Sequence, residues 1–342
     1  MTSPIAADHD LVATATSRAR GLTEPLLRAI VDSLGPTLAG IGHYHFGWQP
    51  GTELAAGKAV RPTLAVLAAE AVGAAPSAAL PAAAAAELVH NFSLIHDDII
   101  DSDEQRRGRP SVWKAHGVAA AILIGDALHS AAFELLLGTG SPHAAAVAER
   151  LAVAMREVVI GQVQDIEFTG RPWSGAQAVT VAEYQAMAEA KTGALLAFSA
   201  AGGAQLAGAS PEAVRAFDAL GRHLGLAFQC TDDVLGIWGD PLVTGKPVFG
   251  DLREGKKTLP MIAALSSGTP AGNRLRELLP AGDAEPELVA ALVEEAGGRQ
   301  YAEQEAARQL RGVAQQLDAL PMPEQVRRSF KALAGTLIGR TR

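Results

Sequence analysis

From Leu22 to the C-terminus, apolar residues recur at three- and four-residue spacing in nearly every window, the period of a helix with one buried face. The pattern predicts long helices near residues 81–101, 143–167, 180–205 and 211–238. Three starts carry their own signals: Thr180 with Glu183 as a capping box, Ser210-Pro211 as N-cap and first-turn proline, and Pro323 as another first-turn proline. No run of alternating β-branched residues bounded by turns stands out, so strands are not expected. Gly- and Pro-rich breaks fall at Phe168–Gly175, Gly239–Gly255 and near Thr269–Asn273. The alanine run Ala82–Ala86 suits a tightly packed helix. The reading is one all-α domain, residues 22–342, built as a bundle of long helices. Residues 1–21, polar and rich in small side chains, are expected to be a poorly ordered arm, with docking to a partner as its alternative use.

Composition narrows the class. Of the 342 residues 48% are hydrophobic and 19% charged, enough apolar material for a large core. A net charge of −8 argues against a nucleic-acid partner, which calls for a basic face, and against adhesion to anionic membranes. No uninterrupted apolar run reaches the roughly 18 residues of a membrane span; the best candidate, Gly117–Leu137, is broken by Asp126 and His129. The first twenty residues lack a basic stretch followed by an apolar core, so a secretory signal is not expected. Cys230 is the one cysteine, which excludes an intrachain disulfide and suits a reducing, cytoplasmic setting.

The first feature that structure alone would not require is Leu94-Ile95-His96-Asp97-Asp98-Ile99-Ile100-Asp101, at the end of an apolar helix. Positions i and i+4 share a face, so Asp97 and Asp101 point the same way with Asp98 beside them. Like charges so placed repel unless a cation lies between them, and hard oxygen ligands on a rigid helix suit Mg²⁺. A solvated helix end is the plain alternative for one such motif. A second acidic pair, Asp232-Asp233, closes another long apolar helix in Phe228-Gln229-Cys230-Thr231-Asp232-Asp233-Val234-Leu235-Gly236. Two such helices facing each other across a bundle would hold several Mg²⁺ ions around a diphosphate.

Such a site also needs cations. Five of the seven lysines, Lys58, Lys191, Lys246, Lys256 and Lys257, lie in Gly- or Thr-flanked segments, where a compact charge meets phosphate readily. Arg61 follows Lys58, and Arg106-Arg107 follows the first acidic motif. Two separate groups of cations suggest two diphosphate-bearing substrates. Nucleotide-binding P-loop, serine-hydrolase elbow and zinc-protease motifs are all missing from the sequence.

In these residues the chain resembles the trans-isoprenyl diphosphate synthases, or polyprenyl synthetases, most of all the bacterial geranylgeranyl diphosphate synthases. The resemblance runs from about Leu22 to the end. It is carried by Gly57-Lys58-Ala59-Val60-Arg61-Pro62, by Glu87-Leu88-Val89-His90 leading into the first aspartate motif, and by Arg106-Arg107-Gly108-Arg109-Pro110. Gly125-Asp126, Gly161-Gln162, Lys191-Thr192, Phe228-Gln229 with Asp232-Asp233, Thr244-Gly245-Lys246, Asp251 and Gly255-Lys256 with Thr258-Leu259-Pro260 extend it. The resemblance implies a single large helical bundle of the isoprenoid synthase type around a central cavity, two to three Mg²⁺ ions and a homodimer. It also implies condensation of isopentenyl diphosphate with an allylic diphosphate (dimethylallyl, geranyl or farnesyl).

Roles follow the same matches. Asp97, Asp101 and Asp232 would ligate Mg²⁺, with Asp98 and Asp233 supporting them in the metal site. Arg106, Lys191, Lys246 and Lys256, helped by Gln229 and Thr192, would hold the allylic diphosphate; Lys58, Arg61, His90 and Arg107 would hold isopentenyl diphosphate. Asp97, Asp98, Asp101, Arg106, Lys191, Asp232 and Lys246 form the expected catalytic set. One position departs from the family: Gly236 stands where a third aspartate usually ends the second motif, and Asp240 is the next acid in sequence. Phe92, five residues before Asp97 and so about 7.5 Å along the helix axis, with small Ser93 beside it, resembles the chain-length position of twenty-carbon synthases. Two other classes stay open: a class I terpene cyclase, which lacks use for Lys58, Arg61 and Arg107, and a non-catalytic regulatory subunit, hinted at by Gly236.

Overall fold

The computed structural model describes residues 4–49, 57–240, 248–282 and 284–339. Helix makes up 79% of it, as the hydrophobic period requires. The chain divides into two compact units: Met1–Met155, Phe198–Asp218 and Leu320–Ala332 form the first, and Arg156–Ala197, Ala219–Ala319 and Leu333–Arg342 the second.

The first unit is built on α1 (Pro4–Ser33), α2 (Pro36–Phe46), α3 (Val60–Ala71), α4 (Leu80–Ile100), α5 (Val112–His116) and α6 (Val118–Leu137). Where a poorly ordered arm is expected, α1 runs from Pro4. It buries Val12, Ala15 and Ala19, and Arg18 forks onto Glu70 at 2.7 and 2.6 Å. The alanine run of α4 is fully buried from Ala82 to Ala86, so the helix axis lies close to α3 and α6. Between α4 and α5 a tight antiparallel hairpin pairs β1 (Gln105–Arg106) with β2 (Arg109–Pro110). Two residues per strand are too few for any alternation to show in sequence.

The second unit takes the C-terminal part of α7 (Ala144–Gly170), then α8 (Val181–Ala188) and, from Ala219, α10 (Pro211–Trp238); α9 (Ala194–Leu206) lies between α8 and α10 in sequence. Next come α11 (Gly250–Arg253), α12 (Leu259–Ser266), α13 (Pro270–Leu278), α14 (Pro286–Glu295), α15 (Gly298–Ala319) and α16 (Glu324–Ile338), whose last residues belong here. The expected capping box at Thr180 and Glu183 is present. The single helix expected over 180–205 is instead interrupted by a π turn, Glu189–Gly193. Glycines explain why the turn packs there: a Cβ at Gly161 would lie 2.8 Å from Lys191 Cα, and one at Gly225 would lie 2.8 Å from the Gly193 amide nitrogen. A core of Phe168, Tyr184, Met187, Leu226, Cys230, Leu259 and Ile262 lies behind it.

Two stretches, Pro76–Ile100 and Val118–Leu137, reach the length and composition of a membrane span, although Asp126 and His129 interrupt the second. In the most apolar window of the first, 56% of the residues are buried; in that of the second 39% are, and Ile122 and Leu123 are exposed.

Candidate active site

In the first unit the end of α4 separates its three aspartates by burial. Asp101 is exposed and Asp97 partly so, while Asp98 is fully buried. Asp101 caps the helix, its amide donating to the Asp97 carbonyl at 2.8 Å, so the two side chains stand one turn apart. Asp98 points inward and takes the Arg106 guanidinium on Oδ1, with Nε at 2.8 Å; its Oδ2 is buried without a hydrogen-bond partner. Burial raises the Asp98 carboxyl and Arg106 opposes the rise. Burial works against the charge of Arg106 as well, but Asp98 outweighs it and the guanidinium is held more firmly protonated. Asp98, expected to support the metal site, is hydrogen-bonded to Arg106, while Asp97 is partly exposed and Asp101 exposed.

The hairpin delivers the arginines. Arg107 adopts a left-handed backbone (φ 54°) and Gly108 follows at φ 75°, a two-residue reversal that places Arg106 and Arg107 apart. Arg107 shares its surroundings with Arg61, Glu87, His90 and His45. Loss of water lowers the pKa of Arg61 and Arg107, with Glu87 supporting both charges. The same loss raises that of Glu87 against Arg61, Arg107 and Arg20. Burial, then the neighbouring arginines, pushes His90 well below the ordinary imidazole range. His45 falls to about 3, chiefly by burial and then by Arg107. Both imidazoles are therefore neutral at pH 7. Among the described residues, Arg61, Arg107 and Arg20 all act on the Glu87 carboxylate, Asp98 acts on Arg107 more weakly than Glu87 does, and Arg61 Nε is buried without a hydrogen-bond partner. That imbalance suits an anion. A cavity of about 90 Å³ beside them is lined by Arg20, Gly57, Glu87, Asn91 and Arg107 among others. A larger one of about 300 Å³, in the same unit, is lined without any charged side chain and carries no chemistry.

Phe92 lies in an aromatic row: its ring centroid is 4.7 Å from that of His96 and 5.2 Å from that of His129, which is 5.2 Å from Phe133. Ser93 donates to the His90 carbonyl at 2.8 Å and leaves the face beside Phe92 small.

In the second unit the π turn brings Lys191 Nζ to Asp165 Oδ2 at 2.5 Å. Thr192 donates to Gln229 Oε1 at 2.9 Å, and Gln229 donates to Asp233 Oδ1 at 3.0 Å. Tyr184 OH and the Leu259 amide, the latter at 2.7 Å, both donate to Asp233 Oδ2. Asp233 is thus a buried hub that ties α8, α10 and the start of α12 together. Burial raises its carboxyl to about 7, against the pull of Tyr184, Leu259 and Gln229. Asp232, its neighbour, is exposed. As in the first motif, one aspartate faces out and the next is buried; Asp233, expected to support the metal site, accepts from Tyr184, Gln229 and the Leu259 amide. Lys256 is half-exposed, 2.6 Å from Glu254 and 3.6 Å from Asp251. Lys257 is buried over the Trp173 ring, 3.3 Å from its centroid, and burial lowers its ammonium to about 8. Lys246 lies outside the described residues. Cys230 is buried and its thiol is pushed up by burial, an inert core residue.

Sequence reasoning missed Tyr184, Asp165 and the supporting role of Glu87. Tyr184 reads in sequence as an ordinary core aromatic, and Asp165 gives no signal until the π turn sets Lys191 beside it. Among the described residues no three His, Cys, Asp or Glu side chains converge as a ready-made metal cage. The donor set still fits Mg²⁺, which takes one or two carboxylates and fills its remaining positions with water and phosphate oxygens.

The polyprenyl synthetase family model matches residues 50–296. A (2E,6E)-farnesyl diphosphate synthase of Mycobacterium tuberculosis is 44% identical over 94% of this chain and 91% of its own length. A geranylgeranyl diphosphate synthase of the same organism is 41% identical over 93% and 92%. The crystal structure of a polyprenyl synthetase from Streptomyces coelicolor superposes with a TM-score of 0.88 at 47% identity, covering 96% of this chain and 99% of that one.

Proposed function

This chain belongs to the polyprenyl synthetase family and is a trans-prenyltransferase, and we propose that it condenses isopentenyl diphosphate with an allylic diphosphate to give geranylgeranyl diphosphate. The observation that carries the reading is Asp97 and Asp101 at the end of α4, in the same unit as the Arg61 and Arg107 guanidiniums gathered around Glu87. Arg61, Arg107 and Lys58, with neutral His90 as a hydrogen-bonding neighbour, hold isopentenyl diphosphate. Arg106, Lys191, Lys246 and Lys256, with Thr192 and Gln229, hold the allylic diphosphate. Asp97 and Asp101 in the first unit and Asp232 in the second would hold Mg²⁺, which would supply charge neutralisation for a departing diphosphate. The allylic C–O bond breaks with its electron pair leaving on the diphosphate oxygen, and the isopentenyl double bond attacks the freed allylic carbon. A proton then leaves the new chain for the released diphosphate, which balances the charge. Preorganised positive charge at the leaving group contributes the most to such a step.

The product length rests on Phe92, backed by His129 and Phe133 so that it closes the space beyond Asp97. The farnesyl diphosphate synthase relative favours a second reading, a fifteen-carbon product. Chromatography of products from the purified chain with Mg²⁺, isopentenyl diphosphate and each allylic primer in turn tests both; absence of any elongated diphosphate would refute the function. Hydrocarbon released from geranylgeranyl diphosphate alone would point to a cyclase. We also propose a homodimer through the outward face of α6, where Val118, Ile122 and Leu123 are 46%, 42% and 60% exposed. A monomeric mass by light scattering would refute it.

A further inference from the structure

The hairpin that carries Arg106 and Arg107 is too small to hold its own shape. Each strand has two residues, and one further backbone bond runs from the Ser111 amide to the Glu104 carbonyl at 2.9 Å. The register sets Arg106 opposite Arg109, and like charges directly opposite repel. Each guanidinium therefore calls for an acceptor of its own. Arg106 has Asp98. Arg109 goes to α2, where one terminal nitrogen donates to the Tyr44 carbonyl and, at 3.2 Å, to the His45 carbonyl.

Those carbonyls belong to the last turn of α2, which Gly47 ends in a left-handed conformation, φ 76°. A helix leaves its final carbonyls short of partners and carries partial negative charge there, so a guanidinium is well placed at that end. The same guanidinium lies over the Tyr44 ring, 4.2 Å from its centroid. Tyr44 answers with its hydroxyl, which donates to the Pro110 carbonyl at 2.7 Å. On α5, just after the hairpin, the His116 ring meets the Tyr44 ring edge-on at 4.9 Å. Both residues of β2 are thereby fastened to α2, chiefly through Tyr44.

The end of α2 is itself keyed to the helix that bears the first aspartate motif. His45 is buried, and its Nε2 meets Asn91 Oδ1 at 3.0 Å; Asn91 in turn donates to the Glu87 carbonyl at 2.8 Å. Asn91 and Asp98 are both on α4, about 10.5 Å apart along its axis. The hairpin is thus held to α4 at two levels, directly by Arg106 on Asp98 and through α2 by Arg109. Between these anchors lie only Arg107, left-handed at φ 54°, and Gly108. Arg107 acts on Glu87 and His90, together with Arg61.

We propose that Arg109 and Tyr44 are positioning residues for both diphosphates: by clamping β2 to the end of α2 they fix the directions in which Arg106 and Arg107 leave the hairpin. The inference rests on the diphosphate-binding reading above and adds two residues outside the set assigned there to the substrates. An arginine that acted by charge alone would be replaced by lysine without loss. One that only stabilised the fold would change the melting temperature and leave the binding constants as they are.

The test uses the full chain, well below the melting temperature of each variant. Calorimetry reads the dissociation constant of isopentenyl diphosphate without allylic substrate. Initial rates with Mg²⁺ and saturating isopentenyl diphosphate read KM for geranyl diphosphate. Arg109→Lys keeps the charge and loses the planar stack; Tyr44→Phe keeps the ring and loses the bond to Pro110. Arg109→Lys should raise both constants together by roughly tenfold, the order set by one hydrogen bond to a charged group, and Tyr44→Phe should raise both by less. Wild-type constants in Arg109→Lys overturn the positioning role, whether or not the melting temperature falls. A rise in one constant alone overturns the shared control of two sites. If Arg109→Lys does not fold, Tyr44→Phe decides in the same way, since it deletes a single oxygen. A wild type that neither binds isopentenyl diphosphate nor transfers a prenyl group overturns the functional reading itself; an active wild type with unaffected variants overturns Arg109 and Tyr44 alone.

Discussion

Tyr184→Phe removes one hydroxyl from the hub that holds the second motif and keeps the ring, which is 2% exposed. In the wild type that hydroxyl and the Leu259 amide share Asp233 Oδ2, while Gln229 serves Oδ1. A hydrogen bond to a charged group contributes about 1.5–3 kcal/mol net, so a loss of about 2 kcal/mol is expected. In a chain of this size that lowers the melting temperature by roughly 3 °C. The pH dependence gives a sharper signature. Burial raises Asp233 to about 7, above its ordinary unfolded value, so the folded state holds this proton more tightly. The associated stability is fully present below the ordinary carboxylate range and is lost as pH rises through about 7. Tyr184 is the first of the contacts that oppose the rise, so the variant should lose its proton at still higher pH. The stability gap between wild type and variant should then widen from pH 5 to pH 9. Urea denaturation of metal-free protein across that range measures it, with KM for the allylic diphosphate as the functional companion. A gap independent of pH, or none, would refute the role given to this hydroxyl.

Phe92→Ala should open the closed end of the chain-bearing space and lengthen the product by at least one five-carbon unit; an unchanged product by chromatography removes Phe92 from that role. Arg106→Ala leaves the buried Asp98 carboxylate without its partner, which should cost about 3 kcal/mol by denaturant unfolding and weaken allylic diphosphate binding more than isopentenyl diphosphate binding. Gly161→Ala sets a methyl 2.8 Å from Lys191 Cα, and overpacking of this kind should cost about 1–3 kcal/mol; a larger effect on the allylic KM than on that for isopentenyl diphosphate would show that the π turn moved.

The long helices were legible because their buried positions are spelled in residues that announce themselves, as in α10, where Leu224, Ala227, Val234 and Ile237 are buried on one side. The first half of α1 was not, because its buried face is Val12, Ala15 and Ala19, and alanine carries too little hydrophobic contrast to mark a face among threonines and serines. The break at Glu189–Gly193 escaped for a different reason: nothing in Glu-Ala-Lys-Thr-Gly specifies a π turn over an α-helix, and the turn packs against glycines remote in sequence, Gly161 and Gly225. The site divides along the same line. Sequence shows two aspartates in a row in each motif, and the helical period puts neighbours on different sides, but which of them meets solvent depends on what packs opposite. Arg106 decides it for Asp98, Tyr184 for Asp233. Gly236 makes the point most directly. Read along the chain it is a missing acid, with Asp240 as the next one; read in space it is the gap that an aspartate fifteen residues later fills. A motif written as consecutive letters records only one helix, whereas the space around each of its positions is shared with segments remote in sequence.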